Sequence, residues 1–72
     1  HKDLEQAEDF RRLAVMVKKL PAEQVEYLRL RFVGRLSYAQ IGQVVGKRED
    51  AVRMAITRLL AHLREEWERD DE

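Results

Sequence analysis

Apolar side chains recur at three- and four-residue steps along most of the chain and nowhere alternate strictly, which predicts helices and no strand. Leu4, Ala7, Phe10, Leu13, Val17 and Leu20 make one stripe. It predicts a first helix over about residues 4–19, with Arg11, Arg12, Lys18 and Lys19 mostly off the stripe. Pro21 ends that helix and opens a second, about 21–33, because its fixed φ suits the first helical position. The inner stripe of the second helix is Val25, Leu28 and Phe32. Glu23 near its start and Arg29 and Arg31 near its end suit the helix dipole. Gly34 falls where a left-handed residue closes a helix, and Leu36 is placed to fold back as the apolar contact.

Ser37 with Gln40 three residues on is a capping-box pattern. It opens a third helix, about 38–45, with Ile41, Val44 and Val45 inward and Gly46 closing it. A fourth helix, about 49–67, carries the stripe Val52, Ile56, Leu59, Leu63 and Trp67. Glu49 and Asp50 favour its start electrostatically. Arg48 is an unusual N-cap, where Ser, Thr, Asp or Asn would contribute ~1 kcal/mol. Residues 68–72 are expected to fray. Val15, Met16, Tyr27 and Leu30 fall off these stripes. They predict either an exposed apolar patch, of the kind that takes a partner helix, or simply a wider buried stripe.

Seventy-two residues make one small domain, 1–72, and the fold class is all-α. The opening His1, in place of Met, reads as a piece of a longer chain. With no cysteine there is no disulfide framework and no thiolate metal site, and His1 and His62 stand too far apart to hold a metal by themselves. No cofactor is implied. The longest apolar run, residues 13–17, is far short of the ~20 residues of a membrane span, and no signal-peptide pattern is present. Enzyme chemistry has no support: no Ser-His-acid set, no Gly-rich phosphate loop and no metal spacing.

Fourteen basic and fourteen acidic side chains balance overall, but not along the chain. Residues 37–58 carry four basic against two acidic, whereas residues 59–72 carry two against six. The acidic tail hides a positive middle. Net neutrality argues only against strong, indiscriminate binding to nucleic acid, which rests on many phosphate contacts.

That positive middle has the shape of a helix-turn-helix: two short helices joined by a glycine turn, after a third. Gly42 lies on the inner side of the third helix, where a large side chain would push the fourth away, and Gly46 supplies the positive φ of the turn. Ile41, Val45, Val52 and Ile56 clamp the pair. Such a pair places the start of its second helix in a major groove. Removing the buried stripe leaves Arg53, Met54, Thr57, Arg58 and Ala61 facing outward. Arg53 and Arg58 suit guanine edges or phosphates, and Thr57 suits either kind of edge. The methyl of Thr57, or Met54, suits a thymine methyl. Lys47, Arg48 and Arg35 sit on flanking turns where backbone phosphates would pass.

The segments Leu20-Pro21-Ala22-Glu23-Gln24, Leu28-Arg29-Leu30-Arg31-Phe32, Leu36-Ser37-Tyr38-Ala39-Gln40-Ile41-Gly42, Val45-Gly46, Ala51-Val52-Arg53, Arg58-Leu59-Leu60 and Leu63-Arg64 appear in this order. Together they resemble region 4 of bacterial RNA polymerase sigma factors, in particular the extracytoplasmic-function group of the sigma-70 family. The likeness covers about residues 10–66. It implies a four-helix domain whose helix-turn-helix reads the −35 promoter element in double-stranded DNA and which docks on the flap of the polymerase β subunit. An anti-sigma partner that covers the domain is also in the family's repertoire, and the site of action is the cytoplasm. By motif position, the resemblance makes Arg53 and Arg58 DNA contacts. Met54 and Ala55 stand where the family often has Ser and Arg, Arg48 replaces a frequent Ser, and Lys47 replaces a small or apolar turn residue. These departures remove possible polar base contacts.

Two other functions fit the same residues. A response-regulator output domain shares the Leu36–Gly42 style of sequence, although the Leu20-Pro21 opening and the Leu-rich stretch after Arg53 favour sigma. A protein-interaction module that has lost DNA reading would explain Met54 and Ala55. Trp67 is expected to cap the core, Tyr38 to pack at the start of the third helix, and His62 to lie at the surface.

Overall fold

The computed structural model of the chain describes residues 2–70. Four helices follow one another: α1, Lys2–Lys18; α2, Ala22–Leu28; α3, Tyr38–Val45; and α4, Glu49–Asp70. No strand occurs among the described residues. Helix α2 runs on into a π-helical segment, Arg29–Val33. The core is formed by Met16, Tyr27, Leu30, Ile41, Val52, Ile56, Leu59 and Leu63, drawn from every helix. The fourth-helix stripe is therefore buried as the periodicity predicts, with Trp67 packed half-buried at its end. Ile41, Val52 and Ile56 are wholly buried. Each such side chain contributes roughly 1.5–3 kcal/mol relative to exposure, so this knot fixes the α3–α4 angle.

The stripes of the first two helices face the core only in part: Leu20 and Leu28 pack against it. Met16 of α1 is buried, whereas Phe10 is 73% exposed and Leu4 and Leu13 are exposed too. A stripe is buried only where another element lies across it. Helix α1 is buried at Met16, near its C-terminal end, and is covered at neither Leu4 nor Phe10. In α2 and its π segment the off-stripe residues Tyr27 and Leu30 are buried, while Val25 and Leu28 are half-buried and Phe32 is exposed. The wider-stripe alternative thus holds for Met16, Tyr27 and Leu30, while Val15 stays 52% exposed, as the patch alternative expects, and the predicted stripe residues Leu4, Phe10, Leu13 and Phe32 add to the exposed apolar surface. The π segment is one cause. It takes more residues per turn than an α-helix, so positions after Leu28 shift in phase.

The exit from that segment also differs from expectation. Gly34 has an ordinary right-handed φ of −75°, and the left-handed residue is Arg35, at φ 56°. Gly34 N–H donates to Arg29 O at 2.9 Å, the wide hydrogen bond of the π turn. Leu36 N–H then reaches back to Leu30 O at 3.1 Å, and the Leu36 side chain packs on the core as foreseen.

Helix α3 has the predicted bounds. Both halves of the capping box form: Ser37 Oγ accepts from Gln40 N–H at 3.1 Å, and Gln40 Oε1 accepts from Ser37 N–H at 2.8 Å. Gly46 is left-handed, φ 75°. Val44, expected inward, is 61% exposed. Helix α4 extends past Trp67 to Asp70, and Asp71 and Glu72, where fraying was expected, lie outside the described residues. No helix among the described residues is long and apolar enough to cross a membrane.

Candidate nucleic-acid interface

The site is built on the α3–α4 pair. Gly42 is buried, and a Cβ there would collide with the carbonyl oxygen of Lys47. The obstacle is the backbone of the turn, not the side chains of α4. Gly42 O itself accepts from both Gly46 N–H, at 2.8 Å, and Lys47 N–H, at 2.9 Å. Close backbone approach at Gly42 and the left-handed Gly46 together set how the chain turns into α4. Arg48 O accepts the first intrahelical bond, from Val52 N–H at 3.0 Å, and Asp50 Oδ1 accepts from Ala51 N–H. A nearby acidic side chain thus takes part of the capping work that Arg48 cannot do.

Arg53, Met54, Thr57, Arg58 and Ala61 are all exposed, as the sequence predicts for the outer side of α4. Met54 is 57% exposed, a large apolar contact surface beside the charged groups. Arg53 pairs with Glu49 Oε1 at 3.3 Å, one turn earlier. Its guanidinium also lies 5.4 Å from the centroid of the Tyr38 ring. Arg58 reaches back toward Met54 O at 3.4 Å and leaves its guanidinium without an ion pair among the described residues.

The flanking basic residues are less alike. Lys47 is tied to Glu23 of α2 at 2.7 Å. The hydrogen bond to Glu23, aided by the Tyr27 oxygen, holds the Lys47 ammonium above its ordinary pKa of 10.5. The Tyr27 hydroxyl is buried and makes no hydrogen bond among the described residues, and the Lys47 ammonium lies 5.9 Å from the centroid of the Tyr27 ring. Arg48 is exposed and makes a loose 3.7 Å pair with Asp50. Arg35 is exposed on the loop after the π segment, with no ion pair among the described residues. Lys47 and Arg58 line one cleft of about 400 Å³ between α2 and α4, together with Glu23, Tyr27 and His62. His62 is at the surface, 3.3 Å from Glu66. Arg35 belongs to the other end of the helix-turn-helix, before α3.

Sequence reasoning missed Tyr38 and Arg31 as neighbours of Arg53. The Arg31 guanidinium lies 4.3 Å from the Tyr38 ring centroid, and its Nη1 donates to Leu36 O at 2.8 Å. The Glu49–Arg53 pair was legible as an i,i+4 spacing. Nothing in the spacing of Arg31, Tyr38 and Arg53 announces that both arginines approach the Tyr38 ring.

On another face, Leu13, Val17, Val25, Leu28, Phe32, Val33, Leu60, Leu63 and Trp67 line an apolar groove of about 700 Å³, with Arg29 and Arg64 at its margin. Arg29 is held by a two-point contact with Glu26. Arg12 of α1 stacks over Trp67, 3.8 Å from the ring centroid, and donates to its backbone oxygen. No group of His, Cys, Asp and Glu among the described residues is arranged to hold a metal.

Neither the curated proteins nor the solved structures compared with the chain gave a match. A family comparison did: the family described as Sigma-70, region 4 matches residues 10–63. The matched stretch contains the capping box, both glycines of the turn and the five basic residues of the candidate interface, Arg35, Lys47, Arg48, Arg53 and Arg58. Members of this family are DNA-binding domains of transcription initiation, not catalysts. In sigma factors they bind the −35 promoter element and the RNA polymerase core. With a helix-turn-helix at its centre and the match spanning three-quarters of its length, this chain belongs to the sigma-70 region 4 family.

Proposed function

We propose that this domain recognises a −35-type promoter element by placing the first half of α4 in the major groove, with Arg53 and Arg58 leading the base readout. Thr57 and Met54 lie beside them to meet base edges and thymine methyls. Lys47, Arg48 and Arg35 fix register on the backbone phosphates. The observation that carries this reading is the outer side of α4. It presents two guanidiniums, a hydroxyl and an apolar side chain from a helix whose angle is set by a wholly buried knot. Modest affinity suffices, because a sigma factor arrives tethered to polymerase.

The polymerase partner in this reading is the flap of the β subunit, and the apolar groove supplies a surface for it. An anti-sigma factor covering the same domain is a further partner of this kind. The run Leu36–Gly42 supports an extracytoplasmic-function-type sigma factor, the single core supports one region 4 unit, residues 1–72, and such a factor acts in the cytoplasm. The groove also gives specific support to the second reading, a protein-interaction module without DNA readout.

Selection from a randomised duplex pool at low salt, followed by anisotropy of the winner and a scrambled duplex over a salt series, tests the proposal. An enriched motif with a clear specificity ratio is expected. Equal binding of both duplexes that vanishes with salt would leave phosphate contacts alone and favour the interaction module.

A further inference from the structure

Tyr38 is the first residue of α3, and two guanidiniums from different elements approach its ring. Arg31, in the π segment, lies 4.3 Å from the centroid, and Arg53, on α4, lies 5.4 Å from it. Both distances fall within the ~6 Å range of cation–π attraction. The two arginines are held differently. Arg31 is half-buried and pinned by its bond to Leu36 O, in the loop that leads into Ser37 and Tyr38. The ring is packed against the core, and the capping box fixes the backbone that carries it. Arg53 is exposed, and its other restraint, Glu49, is a half-exposed carboxylate on its own helix.

The ring is thus a fixed surface and Arg53 the movable group upon it. A long, flexible arginine loses rotamer freedom when it engages a duplex. A ring that already confines it leaves less freedom to lose. The aromatic face also lets two like charges share one region of the protein, with Glu49 offsetting part of their repulsion.

We infer that Tyr38 is a positioning residue for DNA recognition: its ring, locked by Arg31, holds the Arg53 guanidinium in the orientation from which it meets the duplex. This rests on the assignment of Arg53 as a DNA-reading residue. Tyr38 itself need touch no base.

The test compares Tyr38→Phe, Tyr38→Leu, Arg53→Ala and the double variant Tyr38→Leu with Arg53→Ala. The probes are the duplex selected from the randomised pool and its scrambled counterpart. Tyr38→Phe keeps the aromatic face and is expected to keep the specificity ratio. Tyr38→Leu is expected to lower it about two- to fivefold, the range of an exposed cation–π contact. In the Arg53→Ala background the same change is expected to cost nothing further. A Tyr38→Leu loss that persists undiminished without Arg53 overturns the inference, as does an unaltered ratio in Tyr38→Leu while Arg53→Ala loses specificity. Full specificity in Arg53→Ala overturns the DNA assignment of Arg53 and this inference with it. NMR of the free wild-type domain gives a reading independent of DNA and of the Leu variant's folding. Arg53 side-chain protons are expected to show a ring-current shift that survives Tyr38→Phe, and its absence in the wild type overturns the inference.

Discussion

Lys47, in the turn between α3 and α4, places its ammonium 2.7 Å from Oε1 of Glu23 on α2. A residue expected to face phosphate is thus bound, in the free domain, to a carboxylate 24 positions away in the chain. The pair is exposed, so it is readily exchanged for a phosphate oxygen. Lys47→Ala is expected to weaken binding to all duplexes about equally and to lower the salt slope by about one. Glu23→Gln is expected to strengthen binding to all duplexes, because Lys47 no longer has to be taken from a carboxylate. Anisotropy titrations over a salt series measure both.

Arg53→Ala is expected to cost about 1–3 kcal/mol of binding to the selected duplex and to relax preference at one position. Met54→Ser restores a polar residue of the type this family often carries, and a second round of selection is expected to return an altered motif. An unchanged motif would remove Met54 from the readout.

Gly42→Ala introduces a Cβ against the backbone oxygen of Lys47, and a backbone atom cannot rotate away. Destabilisation of about 1–3 kcal/mol is expected, the range of overpacking in a filled interior. Thermal unfolding followed by circular dichroism measures it. DNA binding should fall too, because the turn that aims α4 must shift.

The Glu26 carboxyl is held below its ordinary value of 4.5, first by the hydrogen bond from Arg29 and then by its charge. A lowered folded-state pKa stabilises fully above the unfolded value, and this is lost as pH falls through the folded value. The melting temperature of the wild type relative to Glu26→Gln should therefore be level above about pH 5 and shrink below it. Melts from about pH 6 to 3 check the sign.

Phe32 stands 54% exposed on the apolar groove. Phe32→Asp is expected to abolish capture by the polymerase β flap while leaving affinity for the selected duplex within about twofold, since exposed substitutions away from a site usually move little. Loss of both activities together would mean that the groove supports the fold.

Local features were legible in advance. Ser37 and Gln40 form the box their spacing promises, Gly46 takes the left-handed turn, and the stripe from Val52 to Leu63 is buried. The exposure of Arg53, Met54, Thr57 and Arg58 followed from that stripe by subtraction. The stripes of α1 and α2 misled, because periodicity says which residues share a face, not what the face meets. Gly34 misled as well: a glycine marks where a left-handed residue is cheap, yet the π segment displaced that conformation to Arg35.

The sequence alone determined the helices, the helix-turn-helix with the exposed outer face of α4, and the family motifs. Each depends on residues within a few positions of one another, where backbone geometry and side-chain type settle the outcome. Only the tertiary structure decided that part of the α1 and α2 stripes lines an open groove, that Lys47 is held by Glu23, and that Arg31 and Arg53 both approach the Tyr38 ring. Those outcomes depend on how far one helix is rotated against another. That rotation is set by the summed packing of the buried core, which no local pattern encodes.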